Sequence, residues 1–407
     1  MSSTSLASLL LDPHFRRLWV ASVASGLAFS VAALVEQWYV VKELRLEASL
    51  GLVMMAGSLP RVLLMAVGGV VADRHSRFAI MCNSFVARGL VTLAAAGLVA
   101  AGGFTLPFVV LFALVYGAID AFFWPARDAA LPDIVEAAQL GRANSVMLIT
   151  NQLALVLGPM AGGLLIAHLP YQAVFLLVSI GLVLAAAPLW ATRRTAAAVP
   201  PSAHEPLARA LRDGVAYVLA TPVLRNVMGV QLITNLMFAG PMMVGLPLVV
   251  ANRLHADALA FSSAQSALAA GMVLGGLWLA WRPQRRRRLA AMVAYIAVTG
   301  VLVALLPHAG QLQWLVALMA LIGLCIAGNN VAMVALIQEN THKDKIGRVM
   351  SLNTIGWMGL APVSVGLASG LLSLGVDVAL IMTTGGLGIT LACAACACGS
   401  KVVRQAR

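Results

Sequence analysis

Apolar stretches long enough to cross a lipid bilayer follow one another along almost the whole chain, and only short polar segments separate them. A spanning helix takes about 20 apolar residues, so 407 residues with short loops allow about twelve. Composition agrees: 61% of the residues are hydrophobic, 10% are charged, and the mean hydropathy is +0.93. A water-soluble domain is excluded at these values. The expected fold class is an all-α membrane protein with 12 transmembrane helices in two pseudo-symmetric six-helix bundles. The first apolar run lacks a small-residue cleavage site after it and reads as a retained helix, not a leader peptide.

The formal charge of +12 raises the question of nucleic acid, and its distribution answers it. Twenty-two of the 27 Lys and Arg residues fall in termini and loops on one side; Lys42, Arg45 and Arg253 fall on the other, and Arg61 and Arg88 lie within helices. This asymmetry is the positive-inside pattern, which predicts a multi-pass protein of a cytoplasmic (inner) membrane with both termini in the cytoplasm. Nucleic-acid binding is not expected. Arginine outnumbers lysine 23 to 4, which points to a GC-rich bacterial genome.

The spans are predicted at about 18–39, 50–72, 78–101, 106–124, 143–167 and 171–191, then 223–250, 259–281, 289–307, 312–337, 348–374 and 376–399. The segment from Trp124 to Arg142 reads as a polar cytoplasmic crossing. Residues 193–222 hold Pro200, Pro201 and Pro206, then Leu207, Leu211, Val215 and Val218 at helical spacing. They predict a cytoplasmic linker with an amphipathic interfacial helix between an N-terminal bundle (1–192) and a C-terminal bundle (223–407). The run Arg285–Arg288 reads as a cytoplasmic anchor.

Two features tie the halves together. Gly141-Arg142-Ala-Asn-Ser145 recurs as Gly347-Arg348-Val-Met-Ser351, an offset of 206. Gly68-Gly69 up to Arg74 lines up with Gly275-Gly276 up to Arg282, although Ala280 and Trp281 stand where the first copy has an acid. Parallel six-helix repeats around a midplane site are the arrangement of alternating-access transporters.

The turn after the second span reads Gly68-Gly69-Val-Val-Ala-Asp73-Arg74-His75-Ser76-Arg77. Gly69, Asp73, Arg74 and Arg77 match the loop signature that follows the second helix in major facilitator superfamily transporters. The fifth span carries Gly158-Pro159-Met-Ala-Gly162-Gly163, which resembles the antiporter signature found in exporters of that superfamily. Phe15-Arg16-Arg17-Leu18-Trp19, Pro125, Ala130-Leu131-Pro132 and Arg142-Ala143-Asn144-Ser145 resemble the third drug:proton antiporter subfamily, the macrolide-efflux and enterobactin-exporter group. The likeness is sharpest over 13–166. It implies an inner gate in which Asp120 pairs with Arg77, and Asp73 faces the region of Gly347 and Arg348.

An ionisable group inside the bilayer costs about 2.5–3.5 kcal/mol on insertion scales, so such groups face a cavity or a partner. All four candidates, Glu36, Arg61, Arg88 and Asp120, lie in the first half. Glu36, about 27 Å along the first span from Leu18, suits proton exchange or substrate binding; the alternative is a solvated interfacial acid near Lys42. Arg61 follows Pro60 and either meets an anionic substrate or Glu36, or pairs within the bundle. Arg88 reads as a structural partner, and Asp120 as a gate acid near the end of its helix. Gln37, Asn151, Gln152, Gln231, Asn235, Asn329, Asn330 and Asn353 are candidates for a polar cavity lining, or for fastening helices; Met237, Phe238, Met242 and Met243 form an apolar wall or ordinary packing.

Cys393, Cys396 and Cys398 on the last span read as small apolar residues, so no metal site and no cofactor are expected. No nucleotide loop or paired catalytic carboxylates appear in the polar segments, so no enzyme is expected. The expected function is proton-coupled export of a small amphipathic compound (drug, siderophore or secondary metabolite) by alternating access, in a monomer driven by the proton gradient. The alternatives are a lysophospholipid or lipid flippase and an uncoupled facilitator of the same fold.

Overall fold

The computed structural model describes residues 9, 11–136, 139–193, 207–280, 288–342 and 345–399. The arginines at 285–287 and the prolines at 200, 201 and 206 lie outside them. The described elements are α1 (Pro13–Lys42), α2 (Leu50–Arg74), α3 (Arg77–Ala100), α4 (Leu106–Ile134), α5 (Leu140–His168), α6 (Tyr171–Arg193), α7 (Leu207–Ala220), α8 (Pro222–Gly240), α9 (Ala258–Ala280), α10 (Arg288–Leu305), α11 (Leu312–Glu339), α12 (Ile346–Ser373) and α13 (Val378–Gly399). Among the described residues, twelve helical spans are long and apolar enough to cross a membrane, and α7 is not among them. Large apolar side chains such as Leu63, Leu90, Leu184 and Leu391 stand more than half exposed, as lipid-facing residues do.

Two compact units result. The first holds α1, α2 from Ala56 onward and α3–α6; the second holds Leu46–Met55 and α7–α13. Within the second, Ser369 Oγ donates to the Ala48 carbonyl.

Helix ends follow local chemistry. α1 begins five residues earlier than hydropathy suggests because Asp12 caps it. Its carboxylate accepts from the N–H groups of His14 (2.7 Å) and Phe15 (3.3 Å), and Pro13 occupies the first turn.

The largest departure from the sequence reading is α4. It does not stop at 124 but runs to Ile134 through Pro125 and Pro132. Each proline leaves a carbonyl four residues back without its helical donor. For Pro125 that carbonyl is Ala121, and α2 approaches it through Gly68: a methyl group added there would stand 2.8 Å from the Ala121 oxygen. The charges that made the segment look like a loop are satisfied on the helix. Arg127 is buried, pairs with Asp128 at 2.6 Å, donates to Asn151 Oδ1 at 3.0 Å and lies 4.4 Å over the Trp124 ring.

Small residues set the helix seams. α1 and α5 run side by side in register. A methyl group on Gly26 would meet Ala154 Cβ at 2.8 Å, one on Gly158 would collide with Ser30, and one on Gly162 would press Leu34 at 3.3 Å. The contacts step by four residues on both helices, which is close i±4 packing between small residues. In the second unit α8 and α12 meet likewise: Gly356 lies against Leu232 and Gly240 against Ser364. Ser364 Oγ accepts from the Gly240 N–H (2.6 Å) and donates to the Leu236 carbonyl (2.5 Å), standing in the α8 hydrogen-bond ladder. The span predicted as one helix at 223–250 changes there. Beyond Gly240 it continues as π turns at Pro241–Gly245 and Val249–Arg253 around one α turn.

α7 packs on its own unit. Asp213 pairs with Arg348 at 3.5 Å, and Tyr217 Oη donates to the Asn340 carbonyl (3.4 Å) and accepts from the His342 N–H (3.2 Å). Gly214 and Val218 are buried, while Val215 and Leu219 remain exposed. The protein-facing side of α7 is therefore Gly214, Tyr217 and Val218, and Val215 points away from it.

Candidate functional site

The first unit contains one buried charge cluster. Arg88 on α3 and Asp120 on α4 are wholly buried and joined at 2.6 Å. Ser25 of α1 supplies its hydroxyl oxygen to both Arg88 terminal nitrogens (3.1 Å each), and the Ser84 carbonyl accepts from Nε at 3.4 Å. The guanidinium carbon lies 5.2 Å from the Phe85 ring centre, 5.0 Å from Phe123 and 5.8 Å from Tyr116. Such a shell suits a planar cation that is weakly hydrated. The other oxygen of Asp120 accepts from Trp124 Nε1 (3.1 Å) and lies 3.4 Å from Arg61 Nε.

Arg61 joins this pair to α1. Its guanidinium stacks 4.2 Å from the Phe29 ring, and its side chain stays about one-fifth exposed. Oε1 of Glu36 is buried and has no hydrogen-bond partner among the described residues. The Glu36 residue as a whole is half-buried, and the Lys42 ammonium lies 5.5 Å from the Trp38 ring centre. Of the two carboxyl groups, Asp120 is held by Arg88, Trp124 and Arg61. Glu36 is the one that can gain or lose a proton without breaking a hydrogen bond at that oxygen.

The extension of α4 corrects the expected gate pairing. Asp120 lies midway along a 29-residue helix, not near its end, and does not meet Arg77. Arg77, at the start of α3, donates to Asp133 and to the Ala129 carbonyl (2.7 Å), both in the last two turns of α4. The side chain of Asp73 lies outside the described residues; Arg74 is exposed on the last turn of α2. Gly69 has open space where a side chain would go, so close approach in this turn belongs to Gly68. The antiporter-type motif lies in the α1–α5 seam, with Gly158, Pro159, Gly162 and Gly163 all buried. Arg127, Asp133, Ser25, Tyr116 and Trp124 were not singled out from sequence. No uninterrupted apolar run marked the first two, because Arg127 and Asp128 break the run just after Pro125.

The polar candidates separate. In the second unit Asn329 Nδ2 donates to Gln231 Oε1 (3.3 Å), and Gln231 Nε2 donates to Asn235 Oδ1 (3.4 Å). Asn330, the neighbour of Asn329, is exposed and outside this chain of amides. Asn151 is taken by Arg127. Gln37, Gln152 and Asn353 are half-buried. No group of three or more His, Cys, Asp or Glu residues with metal-binding geometry occurs among the described residues.

Comparison with known proteins fits this geometry. Macrolide efflux protein A of Streptococcus pyogenes is 23% identical, covering 83% of this chain and 84% of its own. Enterobactin exporter EntS of Escherichia coli O1:K1 is 26% identical, covering 93% and 94%. Among solved structures, a POT family transporter in complex with 5-aminolevulinic acid superposes with a TM-score of 0.74 at 11% identity, covering 96% of this chain and 97% of that one. A bacterial homologue of the human lysosomal transporter Spinster gives 0.63 at 15% identity, covering 100% and 98%. These likenesses to solved structures speak to fold. The family profile of the Major Facilitator Superfamily matches residues 18–366. Twelve membrane-spanning helices, the loop signature at 69–77 and that match together make this chain a member of the Major Facilitator Superfamily.

Proposed function

We propose that this transporter is a proton-coupled exporter of a small amphipathic compound, working by alternating access in a bacterial cytoplasmic membrane. Glu36 is the proton-carrying group. The observation that carries the reading is its buried, unpartnered Oε1 beside Arg61. The efflux and export names of the relatives support the direction. The basic loops favour cytoplasmic termini, and a monomer drawing on the proton gradient alone, with no cofactor, is the simplest form.

The residues suggest how a proton is felt. With Glu36 ionised, Arg61 is attracted to two carboxylates, Glu36 and Asp120. A proton on Glu36 cancels one of them, and Arg61 is then drawn to Asp120, 3.4 Å away. Arg61 follows Pro60, where α2 already lacks a backbone hydrogen bond, so its shift bears on a weak point of that helix. Arg88 and Asp120 stay fixed as the counterpart. Substrate arriving from the cytoplasm favours the ionised carboxylate, and the proton leaves as substrate loads. Asp73, Arg74 and Arg77, the last with Asp133, form the inner gate.

The test uses everted vesicles holding an acid interior. Macrolides, enterobactin and lysolipids are added to wild type and Glu36→Gln, with a pH-sensitive dye as readout. The reading expects compound-dependent collapse of the gradient in wild type alone. Collapse in both removes Glu36 from coupling. Uptake of a compound without collapse in either favours the uncoupled facilitator or, for lysolipids, the lipid flippase.

A further inference from the structure

Among the described residues, the second unit shows no counterpart to the buried charge cluster of the first. It holds instead three amide side chains, Gln231, Asn235 and Asn329, that meet one another. These three amides make a directional chain, Asn329 to Gln231 to Asn235, with contacts of 3.3 and 3.4 Å. Both ends are open. Asn329 Oδ1 is a buried acceptor without a donor, and Asn235 Nδ2 is a buried donor without an acceptor. The two residues are only 6% and 7% exposed, so bulk water does not serve them.

Amides that merely fasten two helices use up their hydrogen-bonding capacity on each other, because an unmatched polar group in a lipid-embedded interior is costly. This chain leaves one amino group and one carbonyl oxygen over. It also has an approach. Gln231 is half-buried, and Asn330 next to Asn329 is exposed. Asn329 lies about 26 Å along a helix about 42 Å long, well inside the hydrocarbon depth. An exposed Asn at that level is costly against lipid and favours a polar space.

We propose that Gln231, Asn235 and Asn329 form a charge-free recognition subsite. It takes an uncharged group presenting a hydrogen-bond donor beside an acceptor, either an amide or a hydroxyl next to a carbonyl. The donor of the ligand meets Asn329 Oδ1, and its acceptor meets Asn235 Nδ2. This deepens the transport reading and rests on it. Proton coupling lies with the charges of the first unit, and neutral polar recognition lies with the amides of the second.

The test has two arms. The first is thermal unfolding of purified protein in nanodiscs without added compound. It compares wild type with the triple variant Gln231→Met, Asn235→Leu, Asn329→Leu, which removes every partner at once. An open subsite predicts a melting temperature unchanged or raised by about 2–4 °C, since unmatched groups are replaced by packed apolar ones. A fall of that size or more marks the amides as a structural brace and overturns the proposal. The second arm is the vesicle assay with erythromycin and enterobactin as probes. For a probe that wild type carries, Asn235→Ala or Asn329→Ala raises KM ten-fold or more and leaves the proton count per cycle unchanged. An unchanged KM overturns the proposal. If wild type carries neither probe, the export reading loses support while the unfolding arm still decides the subsite.

Discussion

Replacing Asp120 with Asn tests the charge cluster directly. The carboxylate holds Arg88 at 2.6 Å with both side chains wholly buried, accepts from Trp124 and sits 3.4 Å from Arg61. Asparagine keeps the shape but removes the charge, leaving the guanidiniums of Arg88 and Arg61 without the carboxylate they share. Breaking one side of a buried ion pair costs about 3–5 kcal/mol. At about 2–4 °C per kcal/mol for a unit of this size, the melting temperature falls by about 6–20 °C. Unfolding followed by intrinsic fluorescence is suited to this, since Trp124 is itself a partner of Asp120. The double variant Arg88→Met, Asp120→Leu removes both charges together and is predicted to recover most of the loss. Arg61, partly exposed, then keeps access to water and to Glu36. A melting temperature for Asp120→Asn within about 2 °C of wild type, or a double variant as unstable as both single changes added, refutes the reasoning.

Three further outcomes follow from the seams and caps. Gly158→Ala drives a methyl group into Ser30 and is predicted to cost about 1–3 kcal/mol, whereas Gly69→Ala, with open space around it, is neutral or stabilising by up to about 1 kcal/mol; chemical or thermal unfolding separates them. Ser364→Ala removes the hydroxyl bridging Gly240 and Leu236 and is predicted to speed amide hydrogen exchange across 236–245, with no change beyond α8 and α12. Asp213→Ala breaks a half-exposed pair with Arg348 and is predicted to cost less than about 1 kcal/mol, in contrast to Tyr217→Ala, which loses two backbone hydrogen bonds at the 340–342 turn and is measurably worse in the same assay.

The fold could be read from the sequence because hydropathy over spans this long leaves few alternatives. All twelve apolar runs correspond to spanning helices, and the turn at 68–77 joins α2 to α3 as its glycines and charges suggested. What was not legible came from local composition overriding periodicity. Pro125, Arg127, Asp128, Pro132 and Asp133 look like a loop, yet each finds a place on a continuous α4. That single misplacement moved Asp120 from mid-helix to a helix end and assigned it Arg77. With the helix continued, Asp133 stands thirteen residues, or about 20 Å, beyond Asp120, out of reach of the same arginine. The charged residues of the site were all visible as isolated intramembrane charges; their pairing was not. Arg88 with Asp120 depends on how α3 and α4 pack, and no sequence spacing encodes that. Gln231 and Asn235, four residues apart on α8, were legible as neighbours, but Asn329 joins them only through tertiary contact. The π turns after Gly240 had Pro241 and Pro247 as their only sequence sign.

The most direct test of proton coupling at Glu36 is proton release on binding. Purified wild type and Glu36→Gln, in weakly buffered solution with a pH indicator, are mixed with the compound that collapses the gradient in vesicles. The account predicts that wild type releases protons in proportion to the compound bound, and that Glu36→Gln binds without releasing any. Equal release from both proteins would contradict it and place the coupling proton elsewhere.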